Sequence, residues 1–332
     1  MGILDNIRKR ISAKAPVAQK EACISPPQTF FLELTNHCNL RCSMCNFHSP
    51  SVVRKRRKGF MSPDLAGRLL REISVMNNKR PWVALHGAGE PVLHGKLVDI
   101  LLKGTGLNLD IGFLTNAMLL GDELSRKILD TGISWIGFSI DGIDREQFSS
   151  YRCGADYDVV LRNTLNFVEL AKKRRPELKT IINMTLQEEM KSDVRSFLKF
   201  WLPRADEVCI SPCRPVGSRI NQLARDSVVG ERTPCYMLYT MMVLYWDGTV
   251  GLCCEDWFND GNIGNAAKES LEAIWNGQNF SRCRVLHERG EYKKLPLCGD
   301  CNSWRNSFPQ SDFDSDLNCR MVKTAWQYKY HL

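Results

Sequence analysis

Between residues 29 and 212 short apolar runs alternate with helical patterns, and no other feature of the chain restricts its fold as strongly. Candidate strands fall at 29–34, 82–86, 109–114, 135–140, 180–186 and 207–211. Between the first two, Ser62 is placed to cap a helix, Pro63 suits its first position, and Leu65, Leu69, Ile73 and Met76 share one face. Val194, Phe197, Leu198 and Trp201 repeat that spacing before the last strand. Such alternation predicts a parallel sheet with right-handed crossovers. About six units suit an α/β fold of the partial (β/α)6 TIM-like barrel type, with its site at the C-terminal strand ends.

The pattern changes after Pro215. Residues 241–246 and 249–252 read as a hairpin turning at Asp247-Gly248, with cysteines on both sides. The expected division is an N-terminal basic amphipathic appendage at 1–28, the barrel at 29–212, a linker at 213–234, and a small cysteine-rich domain of hairpin plus helix at 235–332. In the appendage Ile3, Leu4, Ile7 and Ile11 recur at helical spacing beside Arg8, Lys9 and Arg10. A helix over residues 1–12 of that kind suits a membrane surface, or more commonly its own protein.

Fourteen cysteines in 332 residues is the second constraint. No run of eighteen apolar residues and no signal-peptide h-region is present, so a cytoplasmic protein is expected, where metal ligation outranks disulfides. The net charge of +8 is concentrated at Arg54–Lys58 and Lys172–Arg175. Each run reads as a solvated loop or helix end; the first, following the cysteine cluster, also suits attraction of an anionic substrate or partner.

Cys38-x3-Cys42-x2-Cys45 follows the first strand, where a barrel places chemistry. A cubane of four irons needs four ligands, and three thiolates leave one iron open. An amino and carboxylate pair of a methionine-type ligand can chelate that iron. Cys-x2–4-Cys spacing also suits zinc, with His37 or His48 completing the site.

Thr35-Asn36-His37-Cys38-Asn39-Leu40-Arg41-Cys42-Ser43-Met44-Cys45 resembles the signature of the radical S-adenosylmethionine superfamily, with Met44 where an aromatic residue is usual. Leu85-His86-Gly87-Ala88-Gly89-Glu90-Pro91 is similar to that family's Gly-Gly-Glu-Pro motif, which receives the methionine amino group. The resemblance implies a [4Fe-4S] cluster on Cys38, Cys42 and Cys45, with S-adenosylmethionine cleaved there to a 5′-deoxyadenosyl radical. It implies cofactor contacts from Gly87, Gly89, Glu90 and Pro91, and, by position after a strand, from Thr115-Asn116, Ser139, Asp141, Tyr151-Arg152 and Asn183. It also implies a one-electron donor of flavodoxin or ferredoxin type.

Cys235-x17-Cys253-x44-Cys298-x2-Cys301 resembles the SPASM and twitch extensions of the same superfamily. Four thiolates close a cubane and suit it to electron transfer, so one auxiliary [4Fe-4S] cluster is implied. Cys254 is an alternative to Cys253. A zinc ribbon is the competing reading of the module alone.

Cys209 and Cys213 bracket the last candidate strand's end and are candidate hydrogen-atom donors to a substrate radical; packing is their commoner role. Arg214 is a candidate anion ligand. The expected activity is therefore radical oxidoreduction of a small sugar-like or polyol substrate, by dehydrogenation or epimerisation. Peptide modification is the alternative, and a zinc-bearing binding protein is the reading from a different class. No nucleic-acid partner is expected.

Overall fold

The computed structural model describes residues 24–77, 79–218, 232–305, 310–323 and 327–332. The appendage helix at 1–12, most of the expected linker and Cys23 lie outside the described residues.

Six parallel strands form the barrel wall: β1 (Thr29–Leu32), β2 (Trp82–Ala84), β3 (Asp110–Thr115), β4 (Trp135–Ser139), β5 (Lys179–Leu186) and β6 (Glu207–Pro212). They pair in sequence order, each with the next, so every connection is a crossover. Helix α1 (Pro63–Met76) begins as its residues dictate, the Ser62 hydroxyl accepting the Leu65 N–H at 3.2 Å with Pro63 at the first position. It buries Ala66, Leu69, Leu70 and Ile73 against the sheet. The later crossovers carry α2 (Leu97–Gly106), α3 (Asp122–Asp130), α4 (Arg145–Tyr151), α5 (Tyr157–Arg174) and α6 (Val194–Trp201). The second basic run ends α5, where Lys172, Lys173 and Arg174 complement the helix dipole and Arg174 meets Asp130.

Strand alternation sorts side chains to the two faces. Phe30, Leu32, Val83, Ile111, Phe113, Ile136, Phe138, Ile182 and Val208 join the main hydrophobic core. The opposite phase lines the lumen. Phe31, Trp82, His86 and Trp135 fill its lower part, with Trp82 stacked on Trp135 at 4.7 Å between centroids. Above them Ser139, Asn183 and Cys209 are register partners in one row.

Neither edge of this six-stranded wall is free. On the β1 side lies β7 (Met241–Leu244), parallel to β1, followed by β8 (Thr249–Gly251) and the short β9 (Gly264–Asn265), both antiparallel. The hairpin turns at Asp247-Gly248, and Gly248 has φ +84°, a conformation that disfavours a side chain. Helices α7 (Leu271–Asn276) and α8 (Gln278–Glu288) follow. On the β6 side an antiparallel meander, β10 (Gln310–Asp314), β11 (Cys319–Lys323) and β12 (Tyr328–His331), attaches through β12. The stretch 235–332 thus reaches opposite edges of one twelve-stranded sheet. The meander was not foreseen: its strands carry charged residues on both faces and give no apolar run.

Candidate active site and auxiliary thiol centre

Cys38, Cys42 and Cys45 lie in the loop leaving β1 at the C-terminal ends of the strands, and each thiol is only partly exposed. The loop is held at both ends. Arg41 N–H donates to Cys153 O and Ser43 N–H to Tyr151 O, each at 2.9 Å, while Glu90 N–H donates to His37 O at 2.8 Å. Backbone N–H groups converge on the sulfurs: Leu40 on Cys38 at 3.4 Å, and Phe47 and His48 on Cys45 at 3.4 and 3.2 Å. Such donors favour sulfur carrying negative charge. Burial pushes the Cys38 thiol up to about 11, a backbone N–H opposing it. It also pushes Cys42 up, opposed chiefly by the Arg152 guanidinium. With both thiols raised, Cys38 and Cys42 stay protonated at neutral pH when no metal is bound, so loading a metal releases protons.

Gly87 and Gly89 have little room for anything else. A Cβ on Gly89 would collide with the Thr35 and His37 carbonyl oxygens, and one on Gly87 would lie 2.7 Å from the Glu33 Cβ. The segment is thereby pressed against the cysteine loop. Glu90 and Pro91 are buried, and the Glu90 carboxylate is fully engaged: it accepts Thr115 Oγ1 at 2.8 Å, Val92 N–H at 3.2 Å and Asn116 N–H at 2.7 Å. The Glu90 side chain is thereby committed to neighbouring protein groups. Asn116 donates to Asn39 Oδ1 at 2.9 Å and sits beside the Cys38 sulfur. Asp141 accepts the Arg152 Nε at 2.7 Å and the Thr185 N–H at 2.6 Å, which sets a guanidinium within electrostatic reach of Cys42 and Cys45. Asn183 keeps a buried Nδ2 with no partner in the lumen, next to Ser139.

The two candidate hydrogen donors separate. Cys213 lies past β6 at the mouth, half-buried, within electrostatic reach of Asp141. Cys209 lies deeper, its thiol donating to Glu207 Oε1 at 2.9 Å. Burial and that carboxylate hold the Cys209 thiol far above its ordinary range. Arg214 pairs with the buried Glu255 at 2.9 Å, joining the mouth to the second module.

One enclosed cavity in that module is lined by Cys235, Cys253, Cys298 and Cys301, together with Arg232, Glu255, His287 and Ser303. Burial pushes Cys235 and Cys298 up to about 12. Cys254 lies against the Met237 sulfur at 4.0 Å and does not line the cavity. Among the described residues no three His, Cys, Asp or Glu side chains gather tightly enough for a single metal ion. A mononuclear zinc site needs all its sulfurs about 2.3 Å from one point. Four thiols around one cavity can give one thiolate to each iron of a cubane.

The first basic run is largely spent on structure. Arg54 pairs with Asp260, Arg56 with Glu33, and Arg57 lies over the Trp246 ring. Glu33, Arg232, His287 and Ser303 were not singled out from the sequence, and Arg56 was read only as one member of the basic run. For Arg232 and His287 proximity to thiols in the fold was the missing information; Glu33 alone left a trace, an acid closing an apolar strand.

These features define an iron–sulfur enzyme built on a partial barrel. The radical SAM superfamily model matches residues 32–200, just over half of the chain, and the chain belongs to that superfamily. A second model, the SPASM iron-sulfur cluster-binding domain, matches residues 235–302. The chain is therefore a radical S-adenosylmethionine enzyme whose first domain binds a [4Fe-4S] cluster with S-adenosylmethionine and whose second binds auxiliary iron–sulfur; the zinc-bearing binding protein falls away. It is 22% identical over 319 residues to the tungsten-containing aldehyde ferredoxin oxidoreductase cofactor-modifying protein of Pyrococcus furiosus, covering 82% of this chain and 86% of that one. In fold it is similar to BtrN in complex with AdoMet and 2-DOIA (TM-score 0.57, 19% identity, 83% of this chain and 93% of that one). It is also similar to Streptococcus suis SuiB bound to its precursor peptide SuiA (TM-score 0.66, 14% identity, 90% and 81%). Among the described residues no helix is long and apolar enough to cross a membrane.

Proposed function

We propose that this enzyme dehydrogenates a small sugar-like or polyol substrate at a carbon bearing a hydroxyl group, with Cys38, Cys42 and Cys45 holding the S-adenosylmethionine cluster and Cys235, Cys253, Cys298 and Cys301 holding one auxiliary [4Fe-4S] cluster. Bound at Cys38, Cys42 and Cys45, a cluster with S-adenosylmethionine would supply a 5′-deoxyadenosyl radical able to take a hydrogen atom from the substrate carbon. Loss of the hydroxyl proton and of one electron would then leave a carbonyl, and a cluster held by Cys235, Cys253, Cys298 and Cys301 would supply the acceptor for that electron. The observation that carries this reading is the cavity lined by four cysteines, which claims every iron of a cubane and suits it to accept an electron.

The chain's residues divide the remaining work. Gly87, Gly89 and Pro91 bring backbone close to the cluster loop, and Glu90 braces that backbone. Asn116, Ser139, Asp141, Arg152 and Asn183 are the proposed cofactor contacts at the mouth and upper lumen. The Asp141–Arg152 pair also offsets the negative charge of the thiolates. A flavodoxin- or ferredoxin-type donor supplies the electron, on the face where exposed Arg41 and Lys58 lie near Cys38. The thirteen unpaired cysteines among the described residues suit a reducing cytoplasm.

The test is anaerobic reconstitution, reduction with S-adenosylmethionine, and assay of 5′-deoxyadenosine against panels of aminocyclitols, sugars and peptides. Stoichiometric 5′-deoxyadenosine with a product two hydrogens lighter supports the proposal. Turnover confined to peptides would transfer the site to peptide modification, the second reading, which the fit to peptide-bound SuiB favours.

A further inference from the structure

Three buried polar atoms in the auxiliary module have no partner among the described residues: Arg232 Nε, His287 Nε2 and Ser303 Oγ. All three side chains line the cavity of Cys235, Cys253, Cys298 and Cys301. A buried donor left without an acceptor is destabilising and rare in folded proteins, so three on one wall point to an acceptor inside it. Sulfide and thiolate sulfurs of a cluster are such acceptors.

The orientation of each donor is fixed by its other contacts. His287 Nδ1 accepts the Cys235 N–H at 3.3 Å, which puts the proton of the neutral ring on Nε2. The residue is 2% exposed. Arg232 donates through Nη1 to Gly299 O at 3.2 Å and through Nη2 to Cys298 O at 2.7 Å, and its guanidinium lies 3.6 Å over Tyr292. Its Nε–H is among the donors those contacts leave over, and it is buried. Ser303 is also 2% exposed, and its N–H already donates to Cys301 Sγ at 3.4 Å.

We infer that Arg232, His287 and Ser303 form a donor wall that hydrogen-bonds the sulfurs of the auxiliary cluster and raises its reduction potential. Reduction adds one negative charge to a buried group. Donors and a fixed positive charge stabilise that added charge more than the oxidised form, the usual lever by which a protein tunes a cluster. These three are positioning residues: they bias where the substrate's electron goes without touching substrate. The inference rests on the proposed assignment of the four cysteines as cluster ligands.

The experiment is a potentiometric titration of the reconstituted holoenzyme followed by electron paramagnetic resonance. The signal unmoved by adding S-adenosylmethionine reports the auxiliary cluster, and iron per chain is measured alongside. His287→Leu should move the reduction equilibrium of that signal at least tenfold toward the oxidised form, about 59 mV for one electron, with the other signal unchanged. His287→Gln, which keeps an acceptor for the Cys235 N–H and a donor for the cavity, should stay within about twofold of the parent. Ser303→Ala, which leaves the Cys235 contact intact, should shift in the same direction as His287→Leu and decides the matter if that variant fails to load iron. Full iron, about eight per chain, with unmoved potentials in both variants overturns the donor wall alone. A parent protein with only about four irons, or with zinc in the second site, overturns the ligand assignment and the wall with it.

Discussion

The Glu90 carboxylate accepts the Asn116 backbone N–H at 2.7 Å, tying the loop after β2 to the loop after β3 directly beneath the cysteine loop. Burial raises the pKa of Glu90, and its three donors oppose that rise. Glu90→Gln keeps the volume but turns an amide N–H2 toward a backbone N–H. The expected cost is about 1–3 kcal/mol of stability. Weaker S-adenosylmethionine binding should follow, because Gly87 and Gly89 lose their brace, with iron content retained. Urea unfolding and equilibrium dialysis read the two effects. Lost stability with unchanged binding would confine Glu90 to a structural role.

Arg56 holds Glu33 by two hydrogen bonds, at 2.8 and 2.7 Å, while Glu33 also accepts the Ala88 N–H at 3.0 Å. The same guanidinium donates to Trp257 O and lies 4.2 Å over the Tyr245 ring. One side chain therefore joins β1, the glycine segment and the auxiliary module. Arg56→Met should cost about 3–5 kcal/mol, since it strands a buried carboxylate. Adding Glu33→Gln should recover part of that loss. The check is a double-mutant cycle by chemical unfolding; additive effects would mean the pair is not coupled.

Dehydrogenation and epimerisation part company at the cysteines of β6. Cys209 already donates to Glu207 two residues along the same strand, and Cys213 sits at the mouth. If the substrate radical is oxidised, Cys213→Ala should leave 5′-deoxyadenosine formation within about threefold of the parent, the range of a packing change. Product made in heavy water should carry no carbon-bound deuterium. Solvent deuterium in the product, lost with Cys213→Ala, would reassign the enzyme as an epimerase.

The barrel was legible because each of its six strands is a short apolar run and each crossover shows a helical face or a cap such as Ser62. The hairpin was legible from Asp247-Gly248, where the backbone demands a positive φ. The meander was not, because its strands lie half in water and carry Asp312, Arg320 and Lys329 in place of an apolar stripe. At the site, spacing brought forward the cysteines but not what surrounds them. Glu33, Arg232 and His287 act across 23 to 66 residues of chain, and such contacts leave no periodic trace. Spacing also could not separate Cys253 from Cys254, adjacent residues that face different surroundings.

Glu207 offers a test of the lumen charge that involves no metal. Burial alone would raise its pKa, but Lys329, the Cys209 thiol and Lys179 outweigh that and hold it at about 2. Lys179 Nζ lies at 2.6 Å and Lys329 Nζ at 3.4 Å. An unfolded glutamate titrates near 4.3, so the folded form is depressed. Its stabilisation is fully present above that pH and is lost as pH falls toward about 2. The lysines are 45% and 34% exposed, so solvent screening reduces the effect to roughly 2 kcal/mol. Urea unfolding of the iron-free chain should show the parent more stable than Glu207→Gln by that amount at about pH 6. The gap should narrow through pH 4 and close near pH 2. A gap that stays constant down this range would trace the effect to packing around Cys209, with no share for charge.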